Sequence, residues 1–132
     1  MKKEFKHEIK VYYEDTDVGG VVYYANYLKF LERARTEAII SLGYSNKKIF
    51  DEYGVLIVVK SCKLNFIKPA KLEDKIQIYS RINSVKKVSF SMSQMIKLNK
   101  QNLVEAEIHL ATVNKNGKPT RMPEFLIDKL IK

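Results

Sequence analysis

With 132 residues, 45% of them apolar and 30% charged, the chain can bury one core, is too short for two comfortable domains, and does not have the composition of a disordered protein. Lys and Arg number 24 against 15 Asp and Glu, giving a net charge of +9. That balance favours anionic partners, but the lysines are spread along the whole chain, so charge alone reads as a solvated basic surface and selects none.

Phe5, His7, Ile9, Val11 and Tyr13 alternate with Lys6, Glu8, Lys10 and Tyr12, which is the period of a half-buried strand over 5–13. Residues 1–8 contain no apolar run of the signal-peptide kind. After a loop rich in Asp and Gly the period lengthens. Tyr27, Leu31, Ala34, Ala38 and Leu42, widened by Leu28 and Ile39, put a broad apolar face on a helix of about four turns. Glu32, Arg33, Thr36 and Glu37 take the opposite side, Asn26 is a candidate N-cap, and Gly43 is a C-terminal stop. Residues 45–53 read as a short second helix ended by Gly54.

The rest is mostly strand. The run 55–66 is broken by Pro69, and its Cys62, the only cysteine, can form no internal disulfide; it is expected to be a buried or half-buried thiol in a reducing cytoplasm. Ile76, Ile78 and Ile82 set a second strand, Val88, Phe90, Met92, Ile96 and Leu98 a third, and Val104 to Thr112 a fourth. Turns are expected at Asn83-Ser84, from Asn99 to Asn102, and at Asn116-Gly117, the last a hairpin signal. Pro123 suits the first position of a terminal helix that would bury Phe125, Leu126 and Leu130. No window approaches the roughly 18 to 20 apolar residues of a membrane span.

There is no repeat, linker or low-complexity tract, so residues 1–132 read as one domain. The order of strand, long helix and successive strands predicts an α+β fold. An antiparallel sheet of five to six strands would curl around one long central helix, with runs joined by short turns pairing as neighbours. One helix cannot cover such a sheet, and its edges stay open; pairing of two copies edge to edge relieves both problems, so at least a homodimer is expected.

The chemistry concentrates ahead of the long helix. Asp15 and Asp17, with Gly19 and Gly20, aim carboxylates at a helix N-terminus, where free N–H groups can polarise a carbonyl. Taken alone, an Asp-x-Asp at this position is also ordinary loop or capping chemistry. Here the run Asp15-Thr16-Asp17-Val18-Gly19-Gly20-Val21-Val22-Tyr23-Tyr24-Ala25-Asn26-Tyr27 continues into Phe30-Leu31-Glu32-Arg33-Ala34-Arg35-Thr36-Glu37, and later Asn65-Phe66-Ile67-Lys68-Pro69-Ala70. Together these resemble the hotdog-fold acyl-CoA thioesterases of the 4-hydroxybenzoyl-CoA thioesterase type, and among them the Tol–Pal-associated (YbgC-type) members.

The resemblance implies a hotdog fold over the whole chain and hydrolysis of acyl-CoA to a free carboxylic acid and coenzyme A. It makes Asp17 the catalytic carboxylate, either as nucleophile through a mixed anhydride or as general base on water. The backbone N–H near Tyr24 would be the donor to the thioester oxygen, and Gly20, with Gly19, would let the loop turn tightly and substrate approach the backbone. A thioester suits so small an apparatus, because its carbonyl is electrophilic and a thiolate leaves without strong acid assistance. Tyr24 departs from the pattern, since many YbgC-type members carry His there.

Coenzyme A phosphates would be met by Lys86 and Lys87, backed by Lys60, Ser61 and Arg121. No cofactor is implied beyond the coenzyme A of the substrate, and one Cys with two scattered His makes no zinc site. The resemblance further implies a homodimer or homotetramer with sites shared across the interface, acyl-CoA or acyl carrier protein thioesters as partners, and peripheral association with membrane or envelope machinery. Asp15 is expected to be structural, Tyr23, Tyr24 and Tyr27 core aromatics, and His7 and His109 satisfied sheet residues. The reading from another class is a non-catalytic module that binds acyl groups or nucleic acid; aromatics that follow the core parity argue against nucleic acid.

Overall fold

The computed structural model describes residues 3–131; Met1 and Lys2, part of the segment read for a leader, and Lys132 lie outside the described residues. In chain order the elements are β1 (Glu4–Lys10), a 3₁₀ turn (Tyr13–Asp15), α1 (Asn26–Ser41), α2 (Asn46–Tyr53), β2 (Leu56–Phe66), β3 (Lys75–Val85), β4 (Ser89–Leu98), β5 (Gln101–Val113) and α3 (Glu124–Ile131). The strands form one antiparallel sheet of order β1-β3-β4-β5-β2. Tyr27, Phe30, Leu31, Ala34, Ala38 and Ile39 of α1 are buried against the inner face of β3, β4 and β5, from Ile76 to Leu110. This is the helix-on-sheet arrangement of the hotdog fold.

Local signals hold where they are local. Ser45 caps α2 by accepting the Lys48 N–H, and Gly54 ends it at φ 68°. Leu126 and Leu130 of α3 are buried, while Phe125 is only partly so.

Long-range pairing changes several boundaries. Beyond Lys10 the chain leaves the strand through Val11, which exchanges backbone hydrogen bonds with Glu73 and Asp74, and Tyr12 and Tyr13 turn out to solvent instead of continuing the alternation. Asn83-Ser84 is a bulge inside β3 rather than a turn, and the following turn shrinks to Asn99-Lys100, with Asn99 at φ 58°. Asn26 does not cap α1 but belongs to it, behind an N-cap at Ala25.

The main departure is β2. It pairs with β5 and not with β3, so residues 67–74 form a crossover that passes the start of α1. Its inner-face residues Val59 and Phe66 are exposed, and so are Cys62 and, on the helix, Leu28. Cys62 is therefore not the buried or half-buried thiol expected from its apolar run. The reason is geometric: α1 covers the middle of the sheet and leaves this edge bare.

Candidate active site

Two hydrogen-bonded layers build the loop before α1. Asp15 is buried, and its carboxylate accepts the Tyr12 N–H at 2.9 Å. Its carbonyl accepts both the Tyr23 N–H and the Asn26 side-chain amide, each at 2.9 Å. Asp15 thus ties the loop to the first turn of the helix, a structural part. Outside it, Thr16 bridges Val22, the Asp17 N–H reaches the Val21 carbonyl, and the Gly20 N–H returns to the Asp17 carbonyl. Gly20 has φ +77°, a conformation in which a side chain is strained.

Asp17 itself is exposed, and its Oδ1 accepts the Gly19 N–H at 2.8 Å. A Cβ at position 19 would sit 3.3 Å from that oxygen, so glycine there leaves the carboxylate room. The crossover braces the loop from below: Val22 donates to the Ala70 carbonyl, Leu72 to the Gly20 carbonyl, and the Ala70 N–H to the Tyr27 hydroxyl at 3.0 Å. Burial pushes the Tyr27 phenol up, with the Ala70 hydrogen bond acting against the shift.

At the helix start, the N–H groups of Asn26, Tyr27 and Leu28 are taken by the carbonyls of Tyr23, Tyr24 and Ala25. Among the described residues, the N–H groups of Tyr24 and Ala25 have no acceptor within the chain. Two adjacent donors at a helix N-terminus can polarise a carbonyl oxygen.

Around them the expectation of core aromatics fails in part. Tyr27 is buried, but Tyr23 and Tyr24 are exposed, with ring centroids 5.0 Å apart, and Phe66 lies 6.3 Å from Tyr24 and 5.7 Å from Tyr27. Tyr23, Tyr24 and Phe66 are open to solvent, as are Val18 and Ile67. Parity places a side chain on a face; it does not supply a layer to cover it.

The basic residues divide into two groups. Lys60, at a bulge of β2, Ser61 and Lys86 line one recess on the outer face of the sheet, together with His109. Lys87 and Arg121 do not line it; the Met122 N–H donates to the Lys87 carbonyl, and Arg121 is paired with Glu124. Asp17 does not line that recess. His7 and His109 occupy strands as expected, but among the described residues neither imidazole has a hydrogen-bond partner.

One polar network escaped the reading of the sequence. Gln94, at a core position of β4 and 2% exposed, accepts from Arg35 at 2.9 Å and donates to the Ser80 hydroxyl and the Leu31 carbonyl. Arg35 lines a chamber of about 150 Å³ between α1 and the sheet, walled by apolar side chains such as Ile39, Val59 and Met92. Burial lowers the basicity of Arg35, and partial desolvation by its neighbours raises the exposed Cys62 thiol, which Arg35 in turn draws back down. A glutamine in phase with Phe90, Met92 and Ile96 was the available signal.

Residues 11–130 match the profile of the thioesterase-like superfamily. The acyl-CoA thioesterase YbgC of Haemophilus influenzae is 36% identical over 121 residues, covering 91% of this chain and 89% of that protein. The acyl-CoA thioester hydrolase YbgC of Escherichia coli O6:H1 is 37% identical over 126 residues, covering 93% and 92%. A probable thioesterase from Bartonella henselae has a crystal structure that superposes with a TM-score of 0.88 at 34% identity, covering 92% of this chain and all of that one.

Proposed function

The chain belongs to the thioesterase-like superfamily, and from that premise we propose that it hydrolyses acyl-CoA thioesters to a carboxylic acid and coenzyme A. The observation that carries the chemistry is the pair of free N–H groups at Tyr24 and Ala25, held beside the Asp17 loop by the Asp15 carbonyl.

In this reading the thioester oxygen lies against the Tyr24 and Ala25 amides, which stabilise the negative charge that develops on it. Asp17 either takes a proton from water, so that the oxygen of water bonds to the carbonyl carbon, or attacks that carbon itself to give a mixed anhydride that water then opens. In both routes the carbon–sulfur bond breaks and the thiolate leaves, to be protonated afterwards. Gly19 and Gly20 keep the loop tight and bare. Tyr24 contributes its backbone, and its ring forms part of the apolar approach. Lys60, Ser61, Lys86, Lys87 and Arg121 meet the coenzyme A phosphates.

The apolar inner face of β2 and the open rings of Tyr24 and Phe66 support assembly as a homodimer through this edge, with each site completed by the partner, or as a homotetramer of such dimers. No described helix is long and apolar enough to cross a membrane, and we assign the protein to the cytoplasm. Acyl carrier protein thioesters and a peripheral association with envelope machinery belong to the same proposal.

The test is thiol release from a panel of acyl-CoA esters by wild type and Asp17→Asn. Asn retains an Oδ1 for the Gly19 N–H but is neither a base nor a nucleophile, so the rate should fall about 10²–10⁴-fold with acyl-CoA still bound. Hydrolysis of no thioester would end the enzyme reading. Equal rates in the two proteins would move the chemistry away from Asp17.

A further inference from the structure

Between the second half of α1 and the sheet lies the chamber of about 150 Å³ that Arg35 lines. Its walls are apolar: Ile82, Phe90, Met92 and Leu110 are buried side chains of β3, β4 and β5, and Ile57 and Val59 close it from β2. An apolar cavity of that size takes a group about as large as benzene. The polar atoms come from Glu32, Arg35 and Thr36 on α1 and from Asn46 at the start of α2.

Arg35 is half-buried and anchored. Its Nη1 donates to the Gln94 Oε1 at 2.9 Å, and Gln94 is itself held by donating to the Ser80 hydroxyl and the Leu31 carbonyl. A guanidinium has five N–H donors. Among the described residues, the others find no acceptor, and no carboxylate comes within ion-pair distance. Glu32, one turn earlier on α1, lines the chamber too, but it is exposed and acts on Arg35 from farther off. The other ionisable neighbour, Cys62, is an exposed thiol. A partly buried cation without a counter-ion is costly, and the two oxygens of a carboxylate match the guanidinium fork.

We propose that the chamber binds a carboxylate with an apolar body of about six carbons, the anion on Arg35 and the body among Phe90, Met92 and Leu110. The ligand is either a free carboxylate or the far end of an acyl group that carries a second carboxylate. The second source rests on the thioesterase reading and on assembly through β2. Ile57 and Val59 stand in the first half of that strand, and Phe66, beside Tyr24, ends it. Antiparallel pairing of two β2 edges about their middle brings the Phe66 end of one copy next to the chamber of the other.

Calorimetric titration of the intact protein with benzoate and with benzamide, its uncharged isostere, tests the site. Benzoate should bind about tenfold or more tightly, and Arg35→Met should abolish that preference. Crystals of the wild type soaked in 4-bromobenzoate should show the anomalous signal of bromine in the chamber; if Arg35→Met fails to fold, that position and the wild-type preference decide. Hydrolysis of adipyl-CoA and of hexanoyl-CoA, which lacks the terminal carboxylate, tests the source. A kcat/KM about tenfold or more higher for adipyl-CoA, lost in Arg35→Met, identifies the acyl group as the ligand. Benzoate binding with no preference for adipyl-CoA identifies a free carboxylate. Equal affinity for benzoate and benzamide, bromine located elsewhere, or a folded Arg35→Met that keeps the preference overturns the proposal and leaves hydrolysis at Asp17 standing. Benzoate bound at Arg35 with no hydrolysis of any thioester does the reverse.

Discussion

Replacing Gln94 with Leu isolates the energetics of the polar contact inside the core. Leu is close in size and more apolar, so on packing alone the change is neutral or favourable. The hydrogen bonds say otherwise. Arg35, whose guanidinium is partly buried, loses its acceptor at 2.9 Å, and a hydrogen bond to a charged group contributes about 1.5–3 kcal/mol. The Ser80 hydroxyl, 1% exposed, loses its donor at 2.9 Å, which costs about 1–2 kcal/mol. The Leu31 carbonyl keeps its helical partner and loses little. Less the extra apolar burial, the loss comes to about 3 kcal/mol, or about 10 °C in melting temperature for a chain of this length. Thermal melts at equal protein concentration measure it, since assembly would make the midpoint depend on concentration. A cycle with Arg35→Met separates the pair: the double variant should cost at least 1 kcal/mol less than the sum of the singles. An unchanged melting temperature in Gln94→Leu, or additivity within about 0.5 kcal/mol, would refute the assignment of this network as a stabilising contact.

Three further outcomes follow from the loop and its brace. Gly20→Ala forces a Cβ into a left-handed conformation and should destabilise by about 1–2 kcal/mol, read as a lower melting temperature. Gly19→Ala brings a Cβ to 3.3 Å from the Asp17 Oδ1; it should reduce kcat while the melting temperature stays within a few degrees, and a wild-type kcat would show that the carboxylate position is not critical. Tyr27 is an acid whose ionisation burial disfavours, so the unfolded chain releases its proton first. Stability should therefore fall as pH rises past the ordinary phenol value of 10.0. Urea titrations across that range should show a shallower decline for Tyr27→Phe.

The parts that could be read from residues alone are those with local causes. The apolar spacing of α1, the Ser45 cap and Gly54 stop of α2, and the alternation of β4 and β5 each rest on groups within a few positions of one another, and each stands in the structure. So does the assignment of Asp15 to support: its carboxylate closes a turn three residues away. The motif from Asp15 to Tyr27 likewise marked the loop before α1, beside which, among the described residues, the Tyr24 and Ala25 N–H groups have no acceptor.

Pairing across the sheet was decided only by the tertiary structure. Nothing in 55–66 distinguishes a strand beside β3 from one beside β5. Its place at the edge, the exposure of Cys62 and Phe66, and the crossover that braces the Asp17 loop all follow from that choice. Arg35 and Gln94 are 59 positions apart in the chain, and only the packing of α1 on β4 brings them together. Alternation tells which side of a strand a residue takes. Whether another layer lies over that side depends on where distant segments settle, and that is a balance of burial over the whole molecule.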